Sequence, residues 1–456
     1  MATLILCIFN FQGEFNGSLN LAKKLQASGN QVYYLGVADS RERVQAHGFE
    51  FLTILEEFFP NGFFKKLDFG KASGYSLFLK RVAFIKSLKK FISDLIEGKN
   101  QEIQKVFQEI HPDLLIVSTT EGAYATLIGI IANAYKIPSI FLTDMFSSLP
   151  PSISSKAKNS DRDKPARESL LEFVGFKFRE NFEKSINNIN FFFGLDIDYK
   201  KAILDLSRKL SISSNSLDIE RNVPLKLPHL ILCPQDLELP NLVREDCHYA
   251  EASINLQREE GVHFDWSKLD PNKKIIYCSL GTTSGTYEVI GIRQILSFFK
   301  VLIDSVSLSS YQDQYQLVLV VSEFIQEELF ISMPKNVLIF NKVPQLSLLN
   351  KSHLAIIAGG IHTIKECIFF GVPMIVFPVW ADQFDNAERV NHHQLGLVSD
   401  IYEVSVDEMA GLIDKASSLF IKKNLERWKY RFREMENSNR SIDYIQSVQI
   451  GSAQFG

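Results

Sequence analysis

Residues 4–10 form an apolar run that breaks at Gln12-Gly13, after which Leu19, Leu21, Ala22 and Leu25 fall at helical spacing. Gly29-Asn30 stops that helix, and residues 31–37 form a second apolar run. Two strands apolar on both faces, joined by one helix within roughly 30 residues, are the unit of a parallel sheet covered by helices. The unit returns as a strand at 114–117, a helix at 123–135 and a strand at 139–142 after Pro138. In the second half, residues 274–279, 316–321, 337–340, 354–358 and 374–377 read as strands, with Gly or Pro at several junctions. Residues 148–170 are rich in Ser, Lys and Asp, carry Pro150-Pro151 and Pro165, and read as a loop or insertion, whereas 170–220 are patterned as helix.

The economical fold is therefore α/β, two doubly wound Rossmann-like domains. Residues 1–240 form the first, the polar stretch 241–272 a linker, 273–424 the second, and 425–456 a charged C-terminal helix and tail. Sheets of this kind bind ligands beyond the carboxyl ends of their strands. A cleft between two such domains is the default site.

Composition removes several function classes. The charge balance is 49 basic to 53 acidic residues, so no nucleic-acid partner is expected. Five cysteines (7, 233, 247, 278 and 367) are scattered, odd in number and without a Cys-x-x-Cys pair, which fits a reducing compartment and gives no zinc site. No dinucleotide or P-loop glycine motif is present, nor are the zinc-protease and nucleophile-elbow motifs. His392-His393 are adjacent, about 100° apart on a helix, and make a poor metal pair. No apolar run reaches transmembrane length, and the apolar start lacks a basic n-region, so it reads as a buried strand and the chain as cytoplasmic.

Residues 343–390 carry most of the chemistry. The strand at 354–358 ends in Gly359-Gly360, and a helix begins at His362-Thr363. Two glycines admit a ligand close to the backbone. A helix start offers free N–H groups and about half a positive charge, together an anion site suited to phosphate. A plain strand-to-helix turn is the alternative.

The order of residues here resembles the nucleotide-sugar signature of the family 1 glycosyltransferases, which include plant, antibiotic and animal glucuronosyl enzymes. Pro344-Gln345, Gly359-Gly360, Thr363, Glu366, Gly371-Val372-Pro373, Pro378, Asp382-Gln383 and Asn386-Ala387 stand in the matching order, and Ser279-Leu280-Gly281-Thr282 resembles a second conserved strand end. The match is close over most of the C-terminal half and looser before it. The resemblance implies the GT-B fold, two facing Rossmann-like domains with an interdomain cleft. It implies that Thr282, Thr363 and the backbone at Gly360 hold a diphosphate, that Glu366 accepts from ribose hydroxyls, and that the backbone of Val343, with Gln345 nearby, meets the base. Asp382 and Gln383 would bind the transferred sugar. The chemistry is apt, because carboxylates accept from diols and amides both donate and accept. Without the resemblance, Glu366 reads as a solvated helix residue and Asp382 as a helix cap.

The pattern departs on both sides. The usual Gly-His after the first strand is Gly13-Glu14, and the Asp that normally partners the histidine is Ser118. A carboxylate serves as general base where burial raises its pKa, so Glu14 takes that role in this reading, with Glu121 as substitute and a surface loop residue as the bland alternative. On the donor side the histidine before the glycines is Ala358, His362 stands where Asn is usual and would face the diphosphate or the acceptor, and the base-stacking aromatic is Lys342. For Trp380, core packing and sugar lining are equally open.

Of 36 phenylalanines, 23 precede residue 236. The resemblance makes this half the acceptor side, so Phe63, Phe64 and Phe146 are its candidate lining. Phe78, Val82, Ile85, Leu88, Ile92 and Leu95 share one helical face with Lys80, Arg81, Lys86, Lys89 and Lys90 among the other positions. That helix either packs on its domain or turns a basic surface weakly toward a membrane. The expected function is an inverting, metal-independent hexosyltransferase without cofactor. It would move a hexose from a nucleotide-diphosphate sugar, UDP first, to a hydroxyl of a small apolar acceptor. A non-catalytic binding relative and an epimerase are the alternatives.

Overall fold

The computed structural model describes residues 1–8, 12–64, 74–119, 122–144, 146, 199–217, 225–258, 260–281, 291–322, 325–326, 333–379 and 382–453. It divides into two compact units. The first comprises residues 1–235, 240–255 and 438–456, the second residues 236–239 and 256–437.

In the first unit β1 (Thr3–Cys7), α1 (Gln12–Ala27), β2 (Gln31–Gly36), α2 (Arg41–Gln45) and β3 (Glu50–Thr53) are followed by α3 (Gly74–Glu97) and α4 (Glu102–Ile110). Then come β4 (Leu114–Ser118), α5 (Gly122–Ala134), β5 (Ser139–Thr143), α6 (Tyr199–Lys209), β6 (His229–Ile231) and β7 (Cys247–Tyr249). The seven strands run parallel in the order β3-β2-β1-β4-β5-β6-β7. Alternate residues of the central strands enter opposite cores. Ile5, Cys7, Leu115 and Val117 face one core, and Leu4, Leu6, Leu114 and Ile116 the other. Each fully buried aliphatic side chain contributes about 1.5–3 kcal/mol, which is why runs without polar alternation settle as central strands.

The described part of α3 buries Phe91, Ile92 and Leu95 on this core. Lys90 pairs with Glu57 and lies 5.1 Å from the centre of the Phe58 ring. The packed reading of α3 therefore holds for these residues.

The second unit contains β8 (Lys274–Ser279), α7 (Ile292–Val306), β9 (Tyr315–Val320), β10 (Val337–Phe340), α8 (Gln345–Leu349) and β11 (Ser352–Ile357). It continues with α9 (Ile361–Phe370), β12 (Met374–Val376), α10 (Gln383–His392), β13 (Gly396–Val398), α11 (Val406–Ala416) and α12 (Leu419–Glu436). Its parallel sheet has the order β10-β9-β8-β11-β12-β13. Both units are Rossmann-like. The chain reverses its direction of travel across the sheet between β1 and β4 in the first, and between β8 and β11 in the second. These are the switch points where such sheets take ligands.

Two boundaries differ from the sequence reading. Residues 241–255, expected in the linker, belong to the first unit and supply β7. The tail is not one body, because α12 stays with the second unit while the last helix, Arg440–Ala453, returns to the first. Ile442 and Ile445 bury there, and the Tyr444 ring stacks on His248 at 4.2 Å. Glu251 fixes this helix start by accepting from Ser441 N (3.1 Å) and Ser441 Oγ (2.6 Å), and it pairs with Lys24 at 2.8 Å.

Among the described residues no helix is long and apolar enough to cross a membrane, and no cluster of His, Cys, Asp or Glu is arranged to hold a metal ion.

Candidate functional site

The described residues singled out on the donor side follow the ends of strands β10, β11 and β12 of the second sheet, with the glycine pair at its switch point. β8 ends at Ser279 and β11 at Ile357, which are register partners. Gly359-Gly360 follow β11 after Ala358 and lead into α9. Gly359 has φ +96°, and a Cβ there would lie 2.9 Å from Val376 Cγ1 and 3.1 Å from the Gln383 carbonyl oxygen. Only glycine meets both conditions. Gly360, the N-cap of α9, is different. Its φ is −61°, and a Cβ would meet nothing within 4 Å. The turn is packed on one side and open on the other, at a helix start where N–H groups lack intrahelical partners.

Asp382 and Gln383 begin α10. Asp382 is mostly buried, and burial raises its carboxyl pKa, against the opposing effects of Asn386, its own backbone N–H and the charge of His362. His362, half-buried on α9, is thus an electrostatic neighbour of Asp382. Asn386 donates to Asp382 Oδ2 at 2.8 Å. Asp382 stands at the N-cap position of α10, as the cap alternative expects, but its side chain makes no capping bond. Gln383 Oε1 accepts the Val379 N–H at 2.9 Å, and that oxygen serves the loop before α10.

Glu366 departs most from its reading as a solvated residue. It lies 3% exposed on α9. Its Oε2 accepts from Gln345 Nε2 at 2.6 Å, and its Oε1 from Arg258 Nη1 at 2.5 Å. The two residues assigned to ribose and base therefore touch each other. Arg258 has no motif or periodicity around it, and the sequence offered no signal for it. Val343 is buried before α8, Thr363 is half-buried, and Lys342, in the place of the stacking aromatic, is exposed. Thr282 and Trp380 lie outside the described residues.

On the first unit, α1 begins at Gln12, within the break that the sequence placed ahead of the helical spacing at Leu19. Glu14 therefore stands in the first turn of a helix and not in a loop; its side chain lies outside the description. Positions 14, 17 and 18 share a helical face. At Gly17 a Cβ would stand 2.6 Å from Asp144 Cβ. Asp144 is buried directly beyond β5. Sequence reading passed over it, although a carboxylate just past a parallel strand is the available signal. Ser118, which replaces the usual Asp, ends β4 beside β1. Next to it, Thr119 Oγ1 lies 2.6 Å from Thr143 Oγ1, which is 2.5 Å from His229 Nε2. Glu121 is outside the described residues.

Phe63 and Phe64 pack on the first core with Phe59 and Phe84, and the Asp39 carboxylate accepts the Phe64 N–H at 2.7 Å. Phe146 is buried.

Known proteins similar to this chain are glycosyltransferases. Residues 330–425 match the family of UDP-glucuronosyl and UDP-glucosyl transferases. The NDP-glycosyltransferase YjiC of Bacillus subtilis (strain 168) is 23% identical over 409 residues, covering 89% of this chain and 86% of its own. Among solved structures, the glycosyltransferase of kitacinnamycin superposes with a TM-score of 0.70 at 20% identity, covering 98% of each chain. The glycosyltransferase VinC, solved with dTDP, does so with a TM-score of 0.63 at 14% identity, covering 98% of this chain and 99% of its own.

Proposed function

We propose that this member of the family 1 glycosyltransferases is an inverting enzyme that moves a hexose from a nucleotide-diphosphate sugar, UDP-hexose first, to a hydroxyl of a small apolar natural product. The observation that carries the reading is the glycine pair at the second switch point. Gly359 is required by its φ of +96° and its packing, Gly360 is open, and α9 starts immediately above. A diphosphate placed there receives backbone N–H donors and the helix dipole, and these stabilise the charge that builds as the nucleotide leaves. Thr363 and Thr282 add hydroxyl donors. In this role the helix start substitutes for a cation, so the reaction needs no metal.

Glu366 and Gln345 serve the nucleoside, and Asp382, with Gln383 beside it, the sugar. Glu14 accepts the proton of the acceptor hydroxyl as its oxygen attacks the anomeric carbon, inverting its configuration. A base of this kind is worth about 10²–10⁴ in rate. The acceptor class rests on the phenylalanine-rich first unit and on structural neighbours that include the glycosyltransferase of kitacinnamycin. Incubation with UDP-, dTDP- and GDP-sugars against a library of apolar alcohols, read by mass spectrometry, tests donor and acceptor together. A product heavier by one hexose supports the proposal.

The second reading is a non-catalytic binding relative, favoured by the replacement of the usual His and Asp by Glu14 and Ser118. It expects donor binding with neither transfer nor donor hydrolysis over long incubation.

A further inference from the structure

We infer that Arg258 is a positioning residue that sets Glu366 as a reader of the ribose diol, and so makes the site selective for ribonucleotides over 2′-deoxyribonucleotides. The inference rests on the donor-site reading above.

Tyr277 is fully buried, and burial pushes its phenol far above the ordinary value, so it remains a donor. Its hydroxyl donates to Gln345 Oε1 at 3.0 Å. That bond fixes the amide orientation and turns Nε2 toward Glu366, to which it donates at 2.6 Å. Arg258 approaches the other carboxylate oxygen at 2.5 Å and, through Nη2, reaches Glu260 at 3.3 Å. Glu260 in turn accepts the Leu346 N–H at 2.9 Å, which anchors the Arg258 segment to the start of α8.

Burial alone would discharge both partners. Burial lowers the Arg258 pKa, but the charges and hydrogen bonds of Glu366 and Glu260 outweigh it, and the net shift is upward. Arg258 is therefore held charged between the two carboxylates. A carboxylate has about four acceptor directions, and Arg258 and Gln345 use one on each oxygen. The remaining directions suit two hydroxyls side by side, as on a ribose. A planar guanidinium bridging two carboxylates fixes the rotamer in a way one ammonium does not. Arg258 lies outside residues 330–425, the part that matches the family.

The test is calorimetric titration of the full-length protein with UDP and with 2′-deoxy-UDP, which share base and diphosphate. The wild type is expected to bind UDP about tenfold or more tightly than the deoxy form, the effect of one hydrogen bond to a charged group. Arg258→Ala is expected to weaken UDP about tenfold and the deoxy form little, bringing their ratio toward one. Arg258→Lys should retain part of the preference. If Arg258→Ala melts below the assay temperature, the lysine variant decides by the same ratio. Discrimination as large as the wild type's in Arg258→Ala, or in Arg258→Lys where the alanine variant melts, overturns the role of Arg258 and leaves the donor site standing, as does equal binding by the wild type. Absence of UDP binding in the wild type counts against the donor-site reading itself.

Discussion

Asn386, buried on α10, donates through Nδ2 to the Gly359 carbonyl at 3.0 Å. The same group reaches Asp382 Oδ2 at 2.8 Å, and Arg389 Nη1 holds its oxygen at 3.1 Å. One amide thus ties the glycine turn beneath α9 to the carboxylate that opens α10. Asn386→Leu removes the donor to both. It is expected to cost about 1–3 kcal/mol of stability, measured by urea unfolding, and to weaken nucleotide-sugar binding in the same protein.

The two glycines are predicted to behave differently. Gly359→Ala meets Val376 and Gln383 and requires a left-handed residue, so it should lower the melting temperature and abolish donor binding together. Gly360→Ala meets open space at an ordinary φ. It should leave the melting temperature close to wild type while weakening UDP, because the added methyl stands where the diphosphate approaches. Thermal denaturation beside calorimetry separates the two.

Asp382 gives a pH signature. Burial raises its carboxyl pKa above 3.8, so between that value and the raised one the folded chain holds more protons than the unfolded chain. Stability from this group therefore falls as pH rises through the window. Acceptance of sugar hydroxyls needs the ionised form, so affinity for UDP-hexose should rise relative to UDP over the same window. Asp382→Asn should flatten that difference. Parallel titrations with UDP and UDP-hexose across acidic pH measure it.

The returning C-terminal helix hangs on a buried carboxylate. Glu251→Ala removes the acceptor for Lys24 and for two groups of Ser441. Breaking such a pair typically costs about 3–5 kcal/mol. Hydrogen exchange should show residues 440–453 opening while amides of the second unit keep their protection.

Strands were legible where the apolar run is unbroken. Residues 274–279 and 337–340 were read to their ends because nothing polar interrupts the run. β7, three residues with His248 at its centre, and β13, which starts at Gly396, are too short and mixed to stand out. The start of α1 was misread because Gly13 and Gly17 look like turn punctuation. Gly17 is instead a helical residue kept small by Asp144, a contact from 127 positions along the chain that leaves no local trace. The linear order of the donor motif was legible because its segments follow β10, β11 and β12 in chain order. The environment of Glu366 did not, since Arg258 reaches it across 108 positions from an irregular segment.

The most direct test of the account is Glu14→Gln, assayed for single-turnover hexose transfer and for UDP affinity on the same preparation. The account predicts transfer slower by about 10²–10⁴ with UDP affinity close to wild type. Unchanged transfer would remove Glu14 as the base and contradict the mechanism.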